Sequence, residues 1–119
     1  IPATRSYKSR FLARIGNRSF FVDTADIAYF SADNKIVYLN AHDGTRYLVD
    51  HRLETLEQML DPRQFFRLNR SIIVQASAIQ HIKPYINSRL KLNVKAGSSL
   101  DELIVSRERV PAFREWAES

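Results

Sequence analysis

The segment from Ser88 to Lys95 alternates between apolar and polar side chains more regularly than any other part of the chain. Successive side chains of an extended strand point to opposite faces, so Leu90, Leu92 and Val94 share one face. The opposite face then carries three cations and one amide, from Arg89, Lys91, Asn93 and Lys95. The pattern predicts a strand that is buried on one side and basic on the other.

Most of the remaining chain is also typical of short strands separated by turns. Predicted strands cover residues 11–15, 19–22, 27–30, 36–39, 46–49, 65–68, 72–74, 79–85 and 103–105. Gly16-Asn17 and Asp43-Gly44 are hairpin signals, because Asn, Asp and Gly tolerate the positive φ of tight turns. The strand at 36–39 is apolar on both sides, so we expect it to be central. Residues 96–99 are predicted to form a loop.

Helical spacing occurs in two places. Leu53, Leu56, Met59 and Leu60 recur on one helical face, with Asp50 as the expected N-cap and Asp61-Pro62 as the stop. A second helical turn can start at Pro111, with a buried stripe formed by Val110, Phe113 and Trp116. The sequence therefore predicts a mostly β architecture with two short helices.

Length and composition limit the protein class. The chain has 119 residues, 45% of them hydrophobic, which fits one folded domain. It has no cysteine, which excludes disulfides and thiolate zinc sites and is compatible with a reducing cytoplasm. No apolar run reaches the roughly 20 residues that span a bilayer. Because the chain begins Ile1-Pro2 without a signal peptide, we expect residues 1–10 to be a linker from an upstream domain and residues 11–119 to be the domain itself.

The distribution of charge is uneven. The net charge is +5, and no carboxylate lies between Asp61 and Asp101. That interval carries Arg63, Arg67, Arg70, Lys83, Arg89, Lys91 and Lys95, and the first 22 residues carry Arg5, Lys8, Arg10, Arg14 and Arg18. Arginine accounts for most of the basic residues, and its planar fork fits phosphate or a guanine edge. The pattern indicates a polyanion partner, foremost nucleic acid; charge scattered over a solvated surface is the alternative.

The residues that could support catalysis do not form a recognisable constellation. His42, His51 and His81 lack metal-ligand spacing, and Ser71 and Ser106 lack a base at a recognisable distance in sequence. The three glycines are too far apart to form a phosphate loop. The sequence therefore gives no positive case for an enzyme, a metal or a cofactor.

The segment around Arg70 is the strongest candidate for nucleic-acid contact. In a straight strand Arg70 would share a face with Leu68 and Ile72, where an unpaired charge would be costly to bury. The strand is therefore expected to bend near Asn69 and to lift Arg70 and Ser71 into a loop. Asn69 and Arg70 suit base edges, and Ser71 suits a phosphate. Alternatively, Arg70 pairs with a carboxylate and locks the loop.

Other cations are candidates for phosphate contact. Arg89 follows a turn and can project from it, whereas Lys91 (like Lys95) could attract phosphate or protect a sheet edge. Ser106 can cap backbone groups. Arg107 and Arg109 alternate with Glu108, but a local ion pair contributes at most about 1 kcal/mol and would not prevent recruitment by phosphate.

The order of these features resembles the LytTR-type DNA-binding domain. The most specific part is the Phe-x-Arg-x-x-Arg-Ser-x-x-Val pattern of residues 65–74. The resemblance covers residues 11–116 and includes 26–30, 43–45, Leu53, Leu56, Leu60, Ile79, Ile82 and 104–107. One departure is Gln75, where the family usually has Asn, so the contact made by that amide is in question.

The resemblance implies a compact fold of about ten strands in several small sheets, without a recognition helix. It further implies the output half of a bacterial response regulator. Such domains bind duplex DNA through loops that enter successive major grooves, usually as two copies on a direct repeat. The family's groove contacts correspond here to Asn34, Lys35, Asn69, Arg70 and Arg107, and its backbone contacts to Arg89, with Arg109 close by. Asn34 and Lys35 rest on the resemblance alone.

Two other functions stay open at this point. One is an OB-like module for single-stranded nucleic acid, which needs exposed aromatic side chains on a sheet face. The other is a protein-interaction or sensory module on which the positive charge is incidental.

Overall fold

A computed structural model describes residues 6–119; Arg5 and the first half of the expected linker lie outside the described residues. The described chain forms ten strands and two helices, which confirms the mostly β fold class. The strands are β1 (Arg10–Ile15), β2 (Arg18–Asp23), β3 (Ile27–Asp33), β4 (Ile36–Ala41), β5 (Arg46–Val49), β6 (Phe65–Asn69), β7 (Ile72–Gln75), β8 (Ile79–Tyr85), β9 (Arg89–Ala96) and β10 (Ser99–Val105). The helices are α1 (Leu53–Met59) and α2 (Val110–Glu118). Neither is long and apolar enough to cross a membrane.

The strands form two antiparallel sheets rather than several. The larger has seven strands in the order β2-β1-β5-β4-β3-β7-β6, and the smaller has the order β10-β9-β8. β4 lies in the middle of the larger sheet, as its apolar composition predicts. The pairing is antiparallel throughout, so every turn lies at one end of a sheet or the other.

Two apolar clusters hold the elements together. Leu53 and Leu56 pack α1 against the larger sheet, around the buried Phe30. Phe113 of α2 packs into the second cluster, which includes Leu92 on the inner face of β9. Val110 and Trp116 pack against this second cluster, as the helical spacing predicts.

The strand β9 has the alternation that the sequence predicts. Leu90, Leu92 and Val94 are at most 4% exposed, and the intervening polar residues are more exposed. However, β9 lies between β8 and β10 and is not an edge strand. The interpretation that Lys91 and Lys95 protect a sheet edge is therefore wrong.

Several boundaries differ from the sequence-based expectation. Asp50 is not the N-cap of α1: residues 50–51 are used to turn the chain out of β5, and Arg52 is the N-cap. Asp50 instead accepts a hydrogen bond from Arg14 at 2.8 Å. β10 begins at Ser99 rather than Leu103, because residues 99–105 pair continuously with β9 and reduce the expected loop to Gly97-Ser98.

The departure at Gln75 is accommodated inside the protein. Its side chain is 5% exposed, and Nε2 donates to the carbonyl oxygens of Thr24 and Ile27 at 2.8 and 2.6 Å. Its Oε1 accepts from Ser77 Oγ at 2.8 Å. The amide thus joins the start of the 3₁₀ turn Ala76–Ala78 to the 3₁₀ turn that precedes β3, where the Thr24 carbonyl also accepts from the backbone N–H of Ile27.

Candidate nucleic-acid interface

One end of the larger sheet carries three connecting segments. The register pairs Arg14 with Leu48, Leu48 with Tyr38, and Ser31 with Ile72. These pairings place at the same end of the sheet the turns at 34–35 and 70–71 and the passage from β5 into α1 at 50–52, whereas the turn at 16–17 lies at the other end, beside the start of β5. We call the end with the three segments the loop end.

The loop end is rich in free cations. Lys35, Arg52 and Arg70 are exposed there, and none forms an ion pair within residues 6–119. A fourth cation, Arg14, is already paired with Asp50. Unpaired positive charge is therefore concentrated at this end of the sheet.

The β3–β4 turn is held in a left-handed conformation. Asn34 has φ 49° and Lys35 has φ 68°, the positive values that a two-residue hairpin turn requires. Asn adopts this region readily, but a lysine there costs free energy. Strained positions of this kind concentrate at functional sites, and both side chains are exposed.

The β6–β7 turn has the bend that the sequence predicts. The register shifts between Arg67 and Asn69, so β6 stops pairing regularly just before the turn. Arg70 is exposed and has no carboxylate partner among the described residues. The alternative that Arg70 pairs with an acid and locks the loop is therefore wrong.

A different arginine holds this turn in place. Arg67 donates from Nε to the carbonyl of Asn69 at 2.9 Å and from Nη2 to the carbonyl of Arg70 at 2.7 Å. Its guanidinium also contacts Glu57 at 2.7 Å and Glu54 at 3.3 Å, and its side chain is only 14% exposed. In the sequence, Arg67 is one of several cations in the interval without carboxylates, and its anchoring role is not predicted. The signal that could have identified it is Glu54 and Glu57, which share one face of α1.

The amide of Asn69 is used within the domain. Its Oδ1 accepts from the backbone N–H of Ser71 at 2.7 Å, and its Nδ2 donates to the carbonyl of Ile104 at 2.7 Å. Both ends of the amide therefore shape the turn and tie it to β10. Of the predicted pair of base readers in this turn, only Arg70 has unengaged polar groups.

Two grooves flank the Arg70 turn. The first, which we call the Lys35 groove, is lined by Lys35, Arg52 and Arg70, by Glu54, and by the apolar side chains of Ala32, Val37 and Leu53. The second, which we call the Arg89 groove, is lined by Arg70, Ser71, Arg89 and, on its far wall, Glu102, Ile104 and Ser106. Arg70 borders both grooves, so the structure brings it together with Lys35 on one side and Arg89 on the other.

Arg89 and Lys91 are held on the outer face of the smaller sheet by Tyr85. The guanidinium of Arg89 lies 4.9 Å from the Tyr85 ring centroid, and Nζ of Lys91 lies 4.4 Å from it. Arg89 also donates to the carbonyl of Ile86 at 3.1 Å, and Lys91 is 3.6 Å from Glu102. Their positive charge is thus fixed in position but still open to solvent on one side.

The junction after β10 is attached to the Arg70 turn. The backbone N–H of Ser106 donates to the carbonyl of Leu68 at 3.1 Å, and Nε of Arg109 donates to the carbonyl of Arg67 at 3.1 Å. Arg107 is exposed and lines neither groove, although its neighbour Ser106 lines one. In the described chain, Glu108 forms no ion pair with either adjacent arginine.

The described domain is a β scaffold that presents unpaired cations on connecting segments at one end of its larger sheet. The family model of the LytTr DNA-binding domain matches residues 17–118, and the chain belongs to that family. This confirms the resemblance inferred from the 65–74 pattern.

Individual relatives agree with this assignment. The chain is 33% identical over 86 residues to the sensory transduction protein LytT of Bacillus subtilis, covering 72% of this chain and 35% of that protein. It is 33% identical over 84 residues to the CO-responsive transcriptional regulator RcoM of Rhodospirillum rubrum, covering 71% of this chain and 34% of that protein. The chain thus spans about a third of the length of the curated relatives that it matches.

A solved structure has the same fold. It is the LytTr DNA-binding domain of a Bacillus cereus protein described as a methyl-accepting/DNA response regulator. The TM-score is 0.83 at 25% sequence identity, over 92% of this chain and 96% of that chain. The ten-strand arrangement is therefore that of the family.

Proposed function

We propose that this chain is the sequence-specific, duplex-DNA-binding output domain of a bacterial transcriptional regulator, acting in the cytoplasm. The observation that carries the proposal is the set of exposed, unpaired cations on the loop end of a LytTr-family domain. Cations on a rigid scaffold displace counterions from DNA, and this release supplies most of the non-specific affinity. Turns that project from the sheet can reach into a groove, where base edges carry the sequence information.

The geometry supports distinct roles for the predicted contact residues. Arg70, with Asn34 and Lys35 on the neighbouring turn and Arg107 at the β10 junction, is assigned to groove contacts, because these side chains are exposed and unpaired in the described chain. Ser71, Arg89, Lys91 and Arg109 are assigned to phosphates, because their positions are fixed by neighbouring groups. We assign Asn69 to shaping the Arg70 turn, since its amide is already engaged at both ends.

The arrangement of aromatic side chains favours duplex over single-stranded DNA. Phe20 and Phe21 on β2 are 39% and 68% exposed. They are consecutive in a strand, so their rings lie on opposite faces of the sheet. Tyr85 is covered by Arg89 and Lys91. A stacking platform for unpaired bases needs several rings on one face, and this arrangement does not provide it.

The proposal also covers the domain upstream, the number of copies on DNA, and catalysis. We infer that residues 1–10 connect to an upstream input domain such as a receiver, that two domains bind together on direct repeats, and that the domain itself carries no catalysis or cofactor. Relatives about three times as long as the match support the first inference. The described part of the expected linker is not free of the domain, since the N–H of Lys8 donates to the carbonyl of Met59 at 2.9 Å.

The test begins with selection of bound duplexes from a random pool, which gives the site and its repeat spacing. We then expect Arg70→Ala to weaken binding to the selected duplex by about 1–3 kcal/mol and to relax specificity at one position. Lys91→Ala should instead weaken selected and random duplexes equally and lower the slope of log K against log salt by about 0.9.

Fluorescence anisotropy at several salt concentrations measures both quantities. Equal losses on selected and random duplex for Arg70→Ala would contradict its role as a base reader. Preference for a single strand of the selected sequence over the duplex would favour the OB-like alternative. Absence of binding to any DNA at low salt would overturn the proposed function.

A further inference from the structure

Arg52 occupies a position where an arginine is unfavourable for folding. It is the N-cap residue of α1 and makes no side-chain cap hydrogen bond. Ser, Thr, Asp and Asn are preferred there, because their oxygen can accept from a free N–H of the first turn. A cation is further disfavoured by the positive end of the helix dipole. The stability of α1 therefore does not explain why an arginine occupies this position.

The acids near Arg52 do not neutralise it. Asp50 is paired with Arg14 at 2.8 Å, and Glu54 contacts Arg67 at 3.3 Å. Arg52 itself is exposed and forms no ion pair with any residue in 6–119. The charge of Arg52 is therefore available to a partner, because Asp50 and Glu54 are already bound by other arginines.

The position of Arg52 relative to the other free cations is set by the sheet. Arg52 lines the Lys35 groove together with Lys35 and Arg70. It follows β5, whereas Lys35 joins β3 to β4 and Arg70 joins β6 to β7. At about 4.8 Å between strands, the three cations span roughly 17 Å along the loop end. That distance corresponds to about five base-pair steps along a DNA strand.

We propose that Arg52 is a DNA-backbone contact, and that a phosphate lies in the Lys35 groove between Arg52 and Arg70. This inference rests on the proposed function and adds a contact that the charge pattern of the sequence did not identify. Arg52 contacts the backbone rather than a base, because the adjacent Leu53 is 3% exposed and anchors the start of α1 on the sheet. Lys35, by contrast, lies in the two-residue turn between β3 and β4.

The sharpest test exchanges Arg52 for a better N-cap. Arg52→Ser should raise the Tm by roughly 2–5 °C, because serine can accept a hydrogen bond from the first turn of α1. The same variant should weaken binding about fivefold on selected and random duplex alike, with a fall of about 0.9 in the salt slope. A gain in stability together with a loss of DNA affinity separates a functional role from a folding defect. Arg52→Lys should retain most of the salt slope.

A matched control is available on the same sheet. Arg18→Ser removes one exposed positive charge at the other end of the sheet, where Arg18 follows the 16–17 turn and pairs with Ile15 in the register. It should leave affinity and slope nearly unchanged. Equal effects of Arg52→Ser and Arg18→Ser on binding would overturn the Arg52 contact while leaving the proposed function intact, provided that Arg70→Ala still weakens binding to the selected duplex more than binding to random duplex. Failure of the unaltered domain to bind DNA would overturn both.

Discussion

At the scale of single residues, Arg67 and Arg70 have different roles although their sequence contexts are similar. Arg67 and Arg70 lie three positions apart in one motif. Arg67 is 14% exposed and holds two carbonyl groups and two carboxylates, while Arg70 is exposed and unpaired in the described chain. The first shapes the turn that the second presents. Charge counting cannot separate them, because both are equally basic in sequence.

Arg67→Met tests this division, since methionine keeps much of the side-chain length but donates no hydrogen bond. We expect the free energy of unfolding to fall by about 2–3 kcal/mol, because two backbone carbonyls and two glutamates lose their partner. Preference for the selected DNA site should fall as well, because the Arg70 turn is no longer held. Urea unfolding and anisotropy measure the two effects.

The control for Arg67 is Arg63→Met. Arg63 pairs with Asp61 at 3.0 Å, but its side chain is 85% exposed. Solvent screens such a pair, so the unfolding curve should not change measurably. If Arg67→Met unfolded at the same urea concentration as Arg63→Met, the anchoring role would be disproved.

At the scale of elements, the fold depends on a close approach between two turns of different sheets. The turn between β4 and β5 meets the turn between β9 and β10, and the N–H of Gly97 donates to the carbonyl of His42 at 2.6 Å. A Cβ on Gly97 would lie 2.8 Å from the carbonyl oxygen of Asp43 and 3.0 Å from the Cα of Gly44. Both contacts are with backbone, which cannot move aside as a side chain can.

Gly97→Ala and Gly16→Ala separate this contact from backbone strain. The two glycines have similar φ values, +65° and +60°, but a Cβ on Gly16 would meet nothing within 4 Å. Gly16→Ala should therefore cost only the strain of a left-handed alanine, about 1 kcal/mol. Gly97→Ala should cost about 1–3 kcal/mol more, as in overpacked cores. Equal destabilisation of the two variants in thermal unfolding would show that the close approach of the two turns does not contribute to stability.

At the scale of the whole molecule, a titratable side chain takes part in the contact between the two sheets. Tyr29 of β3 donates from its hydroxyl to Oδ2 of Asp101 in β10 at 2.7 Å. Burial, and then the hydrogen bond to Asp101, raise the pKa of Tyr29 well above its usual value near 10. The neutral phenol is therefore the form that the folded protein favours.

The raised pKa of Tyr29 predicts alkaline destabilisation. Below about pH 10, Tyr29 is protonated in both states and its full contribution is present. Above pH 10 the unfolded chain loses this proton while the folded chain keeps it, so the free energy of unfolding should fall by up to ~1 kcal/mol per pH unit. Tyr29→Phe should show a shallower decline between pH 10 and 11.5 in urea unfolding. Parallel curves for the two proteins would contradict the assignment.

The sequence by itself determined the strands, the helix spacing and the family. Alternation in β9, the Asp43-Gly44 turn and the 65–74 pattern are local properties, because strand periodicity and turn geometry depend on near neighbours. The bend at Asn69 was also predictable, since a straight strand would have buried Arg70. These features need no knowledge of what packs against them.

Only the tertiary structure decided which cations are free and where they meet. Arg52, Lys35 and Arg70 come from three separate parts of the chain and line one groove because β5, β4, β3 and β7 are neighbours in the larger sheet. Arg67 is an anchor because α1 places two glutamates beside it. Strand order and helix docking arise from long-range packing, so the same positive charge can be structural or free depending on partners that are distant in sequence.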